Sequence, residues 1–179
     1  MKILYLAVLV SCGTGLARAG DFRAGLFPHS LLRLAMATMA TVSATPGNIS
    51  FQATNPDMGT VSASSPGSLT WTAQSGSHLQ NWTVTVQASS SSLAGCPAIP
   101  VSAIRVSCGS ATVSGGGGTG ACSSGSFPLS TSPQQIAGGA QGDGANSYSV
   151  SMNFTLADSW RYLANSACTL TLTYSVNAP

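Results

Sequence analysis

Charge is what this sequence most obviously lacks. Asp, Glu, Lys and Arg make up 6% of its 179 residues, against about 25% in an ordinary globular domain. Nucleic acid is therefore not expected as a partner, because phosphate binding depends on many Lys and Arg contacts. From Thr41 onward the charged residues are Asp57, Arg105, Asp143, Asp158 and Arg161.

Groups that move protons or attack carbon are equally scarce. No Lys or Glu occurs after residue 40, and His78 is the only histidine there. It follows the polar run Gln74–Ser77, which is typical of a loop, and no G-x-S-x-G elbow accompanies it. The cysteines show no C-x-x-C spacing of the kind that zinc sites use. The sequence therefore predicts a protein that is not an enzyme and has no catalytic residue, metal site or cofactor.

The N-terminus has the organisation of an export signal. Met1–Lys2 gives a charged start, Ile3–Val10 is apolar, and Ala17-Arg18-Ala19 is a small-x-small cleavage pattern. Residues 1–19 are therefore predicted to be a signal peptide, and the mature protein is predicted to be secreted or to lie at the cell surface. An alternative is suggested by Leu9-Val10-Ser11-Cys12, which resembles a bacterial lipobox and would place a lipid on Cys12.

A second apolar stretch follows the leader, from Leu31 to Met39. It is too short and too interrupted by Arg33 to span a bilayer, so no transmembrane span is expected in the mature protein. Residues 20–40 are interpreted as a leader-proximal segment, helical or disordered. The mature N-terminus is placed between Gly20 and Thr41.

Four cysteines remain beyond the leader, an even set that allows three pairings. In an exported protein the expectation is two disulfides. The favoured pairs are Cys108–Cys122, closing a hairpin over the Gly115–Gly118 tract, and Cys96–Cys168, tying the middle of the chain to its last strand. A closed loop of about fifteen residues stabilises by roughly 3 kcal/mol in the chain-entropy treatment.

Alternation of apolar and polar residues predicts the fold. In Asn146–Ala157 and Ala167–Ala178 every second residue is apolar, the period of a strand with one buried face. Shorter stretches such as Trp82–Gln87 follow the same pattern, and turn residues, including Gly138–Gly144, separate them. The prediction is a disulfide-stabilised, antiparallel β-sandwich formed by residues 41–179.

Three tryptophans bear on ligand binding. Trp71 and Trp82 are in phase with Leu69 and Val84, which favours core packing. Trp160 lies in a predicted loop between the alternating stretches Asn146–Ala157 and Ala167–Ala178, and it is the better surface candidate. The candidate ligand contacts are Trp160, Arg161 and Tyr162. Asp143-Gly144, also in a predicted loop, is interpreted as a plain turn rather than a calcium site.

Trp82-Thr83-Val84 and the closing stretch Leu172–Pro179 resemble bacterial WxL cell-surface domains. In the second motif, Tyr174-Ser175-Val176, tyrosine stands where the family has tryptophan. WxL domains are secreted β domains that attach to peptidoglycan, so the resemblance implies a role in the cell envelope.

These observations predict a secreted, non-catalytic surface or extracellular protein with a structural or adhesive role and cell-envelope polymer as its partner. Two alternatives stay open. One is a fibre or pilus-like subunit that self-assembles by strand donation, with the segment before Val42 as donor. The other is a carbohydrate-binding module that uses Trp160 and Tyr162.

Overall fold

The computed structural model describes residues 2–10, 38–39, 42–46, 48–53, 59–75, 80–157 and 168–178. Strands make up most of these ranges, and one 3-10 turn covers Val101–Ala103. The strands are β1 Lys2–Val10, β2 Thr38–Met39, β3 Ser43–Thr45, β4 Asn48–Ala53, β5 Thr60–Ser62, β6 Gly67–Ser75, β7 Asn81–Ala88, β8 Ser92–Leu93, β9 Cys96–Pro100, β10 Ile104–Ser114, β11 Ala121–Cys122, β12 Ser126–Pro128, β13 Gln134–Ala140, β14 Gly144–Ala157 and β15 Cys168–Asn177.

The strands form a β-sandwich of two main sheets. One has the order β11-β13-β7-β15-β1-β4, and we call it sheet A. The other, sheet B, has the order β12-β10-β14-β6-β2, with β3 also paired to β6 and β5 to β14. Strands β8 and β9 form a small separate pair. The pairings are antiparallel except that of β1 with β15, which is parallel, so the predicted fold class is confirmed.

The long alternating strands β14 and β15 hold the centre of the core. On β15 the buried residues are Cys168, Leu170, Leu172, Tyr174 and Val176, each two positions from the next. Strand β14 shows the same period. Burial of a large apolar side chain contributes roughly 1.5–3 kcal/mol, so the alternation read from the sequence identifies the two strands that contribute most.

Two strands precede residue 41, the predicted start of the sandwich. Lys2–Val10 lies inside sheet A, between β15 and β4, and Thr38–Met39 pairs with β6 in sheet B. The apolar run of the predicted leader therefore occupies an interior strand position.

The glycine tract does not close a hairpin, contrary to expectation. Strand β10 pairs with β12 and β14 in sheet B, whereas β11 pairs with β13 in sheet A. The tract carries the chain from one sheet to the other, and Gly115–Gly117 supply the positive φ angles that the turn requires. The Cys108–Cys122 disulfide consequently joins the two sheets along one side of the sandwich.

The predicted Gly138–Gly144 loop is also wrong in its first part. Gly138 and Gly139 belong to β13, and the backbone of Thr119 and Gly120 passes directly over Gly139. A Cβ atom at Gly139 would lie 2.0 Å from the carbonyl oxygen of Thr119. Glycine is present here because of a close backbone approach, not because of a turn.

Tyr174 should make the fold sensitive to alkali. Burial raises the pKa of its hydroxyl above the ordinary value of 10.0, because desolvation disfavours the phenolate. As the pH rises above 10, the tyrosine hydroxyl ionises in the unfolded chain while Tyr174 in the folded chain stays protonated. The free energy of unfolding therefore falls above pH 10 by up to about 1.4 kcal/mol per pH unit. Urea unfolding across that range should show the decline, and Tyr174→Phe should reduce it. An equally steep decline in the variant would contradict this assignment.

A hydroxyl-lined face as the candidate functional site

The outward side of sheet B is covered with serine and threonine. Because side chains alternate along a strand, the positions between the buried residues of β6, β10 and β14 all point away from the core. On β6, Thr70 and Thr72 flank the buried Trp71; on β14, Ser147 and Ser149 flank the buried Tyr148. We call this surface the hydroxyl face.

Strand register aligns these residues into rows that run across the sheet. In one row Thr70 is opposite Ser149, and Ser149 is opposite Thr112. The neighbouring row, two residues further along each strand, contains Thr72, Ser147 and Ser114. Strands lie about 4.8 Å apart and alternate residues about 6.7 Å apart, so the hydroxyl groups form a two-dimensional array.

A third row extends the array on the other side. It is formed by Thr45, Ser68, Ser151 and Ser110, each opposite the next. The hydroxyl oxygens of Ser110 and Ser151 are 2.8 Å apart and share a hydrogen bond. The array thus spans four strands, from β3 through β6 and β14 to β10.

A groove of about 360 Å³ lies on this face. Trp71 and Tyr148 are among its lining residues, but their rings lie on the core side of the sheet, where they stack with centroids 5.1 Å apart. The Trp71 Nε1 and the Tyr148 hydroxyl are buried and have no hydrogen-bond partner in the described part of the chain. The hydroxyl residues of the groove are Ser43, Thr70, Thr72, Thr112, Ser114, Ser147 and Ser149.

The hydroxyl face carries little charge within the described ranges. Arg105 lies on β10, beyond the three rows, and its guanidinium is engaged by the neighbouring strand: Nε donates to the Ser126 hydroxyl at 3.2 Å, and a second nitrogen donates to the Ser126 carbonyl. Each serine or threonine hydroxyl can donate one hydrogen bond and accept others. The chemistry offered is hydrogen bonding to a neutral, polar partner.

The structure leaves most of the candidate contacts from the sequence undescribed. Trp160, Arg161 and Tyr162, expected as ligand contacts, lie outside the described residues, as do Cys12 and His78. The two predicted disulfides are formed, Cys96 with Cys168 and Cys108 with Cys122, each with Cα atoms 5.3 Å apart.

The Asp143-Gly144 segment serves as a turn. Gly144 has a φ of 74°, and the buried Asn146 side chain donates to the carbonyls of Asp143, at 3.2 Å, and Gly144, at 3.0 Å. These bonds hold the entry to β14 against the glycine tract, where the Asp143 amide donates to the Gly116 carbonyl. No group of three or more His, Cys, Asp or Glu side chains suited to a metal lies within the described ranges.

Trp71 and Trp82 are core residues, as their phase predicted. Trp82 is fully buried, and its ring meets Trp71 and Tyr148 edge to face at 5.5 and 5.8 Å. The two motifs that resemble WxL domains lie on adjacent strands, with Val84 of the first opposite Val176 of the second.

The fold and the face together define a disulfide-bonded β-sandwich with a polar, nearly uncharged surface. No family model, no curated protein and no solved structure matches this chain. In the part of the chain that the structure describes, no helix has the length and apolarity needed to cross a membrane.

The hydroxyl rows were not predicted from the sequence. Alternation in β14 already indicates that Ser147, Ser149 and Ser151 face outward. Their alignment with Thr70 and Thr112 depends on which strands are neighbours and in which register, and no local pattern specifies that.

Proposed function

We propose that this chain is an exported, non-catalytic protein with a structural or adhesive role in the cell envelope, and that the hydroxyl face contacts a neutral, hydroxyl-rich polymer there. The observation that carries the proposal is the alignment of serine and threonine in three rows across four strands. A polymer with repeated hydroxyl or amide groups can meet such rows at many points at once.

The chemistry of the face supports a neutral polymer over a charged one. Hydroxyl groups donate and accept equally well, whereas recognition of phosphate or carboxylate depends on Arg and Lys. A single hydrogen bond contributes only about 0.5–1.5 kcal/mol net. Affinity would therefore come from many contacts along an extended partner rather than from one site.

Two features support a place outside the cytoplasm. Disulfides persist in oxidising compartments, and this domain contains two of them. The resemblance to WxL domains implies peptidoglycan, and the glycan strands of such a wall are rich in hydroxyl and amide groups. Peptidoglycan is accordingly the polymer to test first.

Removing hydroxyls from the array should weaken binding to isolated cell-wall polymer. We expect the double variant Thr70→Val, Ser149→Ala to bind roughly five- to hundredfold more weakly, because two hydrogen bonds are lost and both side chains keep their approximate shape. Co-sedimentation of the folded protein with insoluble peptidoglycan measures this. Binding should also change little with added salt, since salt screens charges and not hydroxyl contacts.

The chain provides a matched control on its other sheet. Thr85 and Ser175 are also opposite one another, on the outer face of β7 and β15. Thr85→Val, Ser175→Ala removes the same two groups from sheet A and should leave polymer binding unchanged. Equal losses in both double variants, or no sedimentation with the polymer at all, would count against the hydroxyl face.

A second candidate function is favoured by one observation, the location of β1 inside sheet A. It is a fibre subunit that assembles by strand donation.

The carbohydrate-binding alternative depends on Trp160 and Tyr162. It would be favoured if Trp160→Ala abolished glycan binding while Thr70→Val bound glycan normally.

A further inference from the structure

Strand β1 fills an interior position in sheet A. Seven of its residues pair with β15, from Leu4 opposite Cys168 to Val10 opposite Tyr174, and six pair with β4, from Lys2 opposite Ala53 to Ala7 opposite Asn48. Within sheet A, β4 pairs with β1, and outside that ladder it is held by a bridge from Phe51 to Ala63 and by a hydrogen bond from the Ser64 amide to the Ser50 carbonyl. The whole strand lies ahead of the cleavage pattern at Ala17-Arg18-Ala19.

Cleavage after Ala19 would therefore remove a strand from the middle of the sheet. The amide and carbonyl groups on facing sides of β15 and β4 would lose their partners together, which leaves a groove one strand wide. Its apolar lining would come from residues that are at most 2% exposed while β1 is in place. They are Ile49, Phe51, Leu170, Leu172 and Tyr174. Unpaired edges beside exposed apolar residues readily accept another strand.

We infer that the processed chain closes this groove with an extended segment from the N-terminal arm, residues 20–37, of a second copy of itself. The inference rests on the proposed function, because it requires export and cleavage. Each copy then donates its arm and accepts another. A contact between two different surfaces of the same molecule repeats without closing, and it produces a linear fibre.

The arm has the residue pattern that the groove needs. In β1 the residues opposite β15's buried side chains recur at every second position: Leu4, Leu6 and Val8. The arm repeats this spacing with Leu32, Leu34 and Met36. Pro28 limits the donated segment to residues after it, since proline cannot donate to a strand that is paired on both sides.

The arm's own domain is the less suitable acceptor. Thr38 is held in sheet B, opposite Gln74, while the groove lies in sheet A. Packed sheets are about 10 Å apart, and the two residues from Met36 to Thr38 span at most about 7 Å. Met36 therefore cannot enter the groove of its own domain while Thr38 stays paired. A second molecule can take whatever position the short connection demands.

The test compares the exported, processed protein with the full chain that retains β1, using intact mass and light scattering. We expect the processed protein to form multimers of increasing length and the full chain, whose groove is filled, to stay monomeric. Leu34→Asp in the processed protein should weaken assembly by roughly a hundredfold or more, because a charge would enter the apolar groove. Ala35→Asp adds the same charge one residue later, on the opposite side of the donated strand, and should assemble normally.

A synthetic peptide of residues 29–37 provides the second measurement. Added to processed Leu34→Asp protein, whose groove is intact, it should bind and protect the amides of β15 from hydrogen exchange. Failure to bind, or a processed wild-type monomer with β15 already protected, would overturn strand donation alone. An exported protein whose intact mass corresponds to a chain starting at Met1 would overturn cleavage, and donation with it. The mass therefore distinguishes a failure of cleavage from a failure of strand donation.

Discussion

Replacing Trp82 with alanine should destabilise the domain by about 3–5 kcal/mol, the usual cost of removing a large aromatic side chain from a core. Trp82 has no exposed surface, and it lies on β7 of sheet A while its aromatic partners, Trp71 and Tyr148, lie on β6 and β14 of sheet B. Its removal would leave a cavity between the sheets. A domain of this size has a total stability of about 5–15 kcal/mol, so the loss would be a large fraction of it.

Urea unfolding followed by circular dichroism measures the change without relying on tryptophan emission. Trp82→Phe separates the two contributions, because it retains a ring and removes the indole N–H, which donates to the Thr119 carbonyl at 3.0 Å. We expect Phe to cost clearly less than Ala, since one hydrogen bond contributes about 0.5–1.5 kcal/mol. An alanine variant destabilised by less than about 1 kcal/mol would contradict the aromatic cluster as the centre of the core.

Removing the Cys96–Cys168 disulfide should have the second large effect. The two residues are 72 apart in sequence, against 14 for Cys108 and Cys122. In the chain-entropy treatment these separations correspond to about 4 and 3 kcal/mol. Cys96 and Cys168 are also both buried, whereas Cys122 is exposed, so their replacement by alanine disturbs packing as well.

The comparison requires both double variants, Cys96→Ala, Cys168→Ala and Cys108→Ala, Cys122→Ala, each measured by thermal and urea unfolding. The first should have the lower melting temperature. If the second pair proved the more important, the join between the sheets along one side of the sandwich would matter more than the constraint on the longer loop.

The strands with strict alternation were predicted nearly to the residue. Asn146–Ala157 was expected and Gly144–Ala157 is found; Ala167–Ala178 was expected and Cys168–Asn177 is found. Both strands have one wet face and one buried face, so burial dictates the side-chain pattern and the pattern indicates the strand. The core positions of Trp71 and Trp82 followed from the same phase.

What local patterns could not show depends on distant parts of the chain. Strand β10 runs from Ile104 to Ser114, but a register shift between Cys108 and Ser110 interrupts its alternation, so the local pattern does not show its full length. Gly139 looked like loop chemistry because the approach of Thr119 to it is invisible in the sequence. The place of β1 depends on a parallel pairing with a strand that begins more than 150 residues later.

The hydroxyl face was likewise only partly predictable from the sequence. That its serines and threonines point outward follows from alternation, but the rows require the order β3-β6-β14-β10. The contribution of Trp160, Arg161 and Tyr162 to ligand contact stays a prediction.

The two sides of the sandwich differ in how they would respond to a pulling force. Along one side, the Cys108–Cys122 bond joins β10 of sheet B to β11 of sheet A, and force cannot separate the sheets there without breaking a covalent bond. Along the other side, the chain passes between the sheets at Thr45-Pro46, and hydrogen bonds hold β4 to β1 in sheet A and, through Ala63 and Ser64, to β14 of sheet B. Under tension the domain should open from the β4 side first, shedding strands while the disulfide-bonded side stays whole, and it could reclose when the load is released.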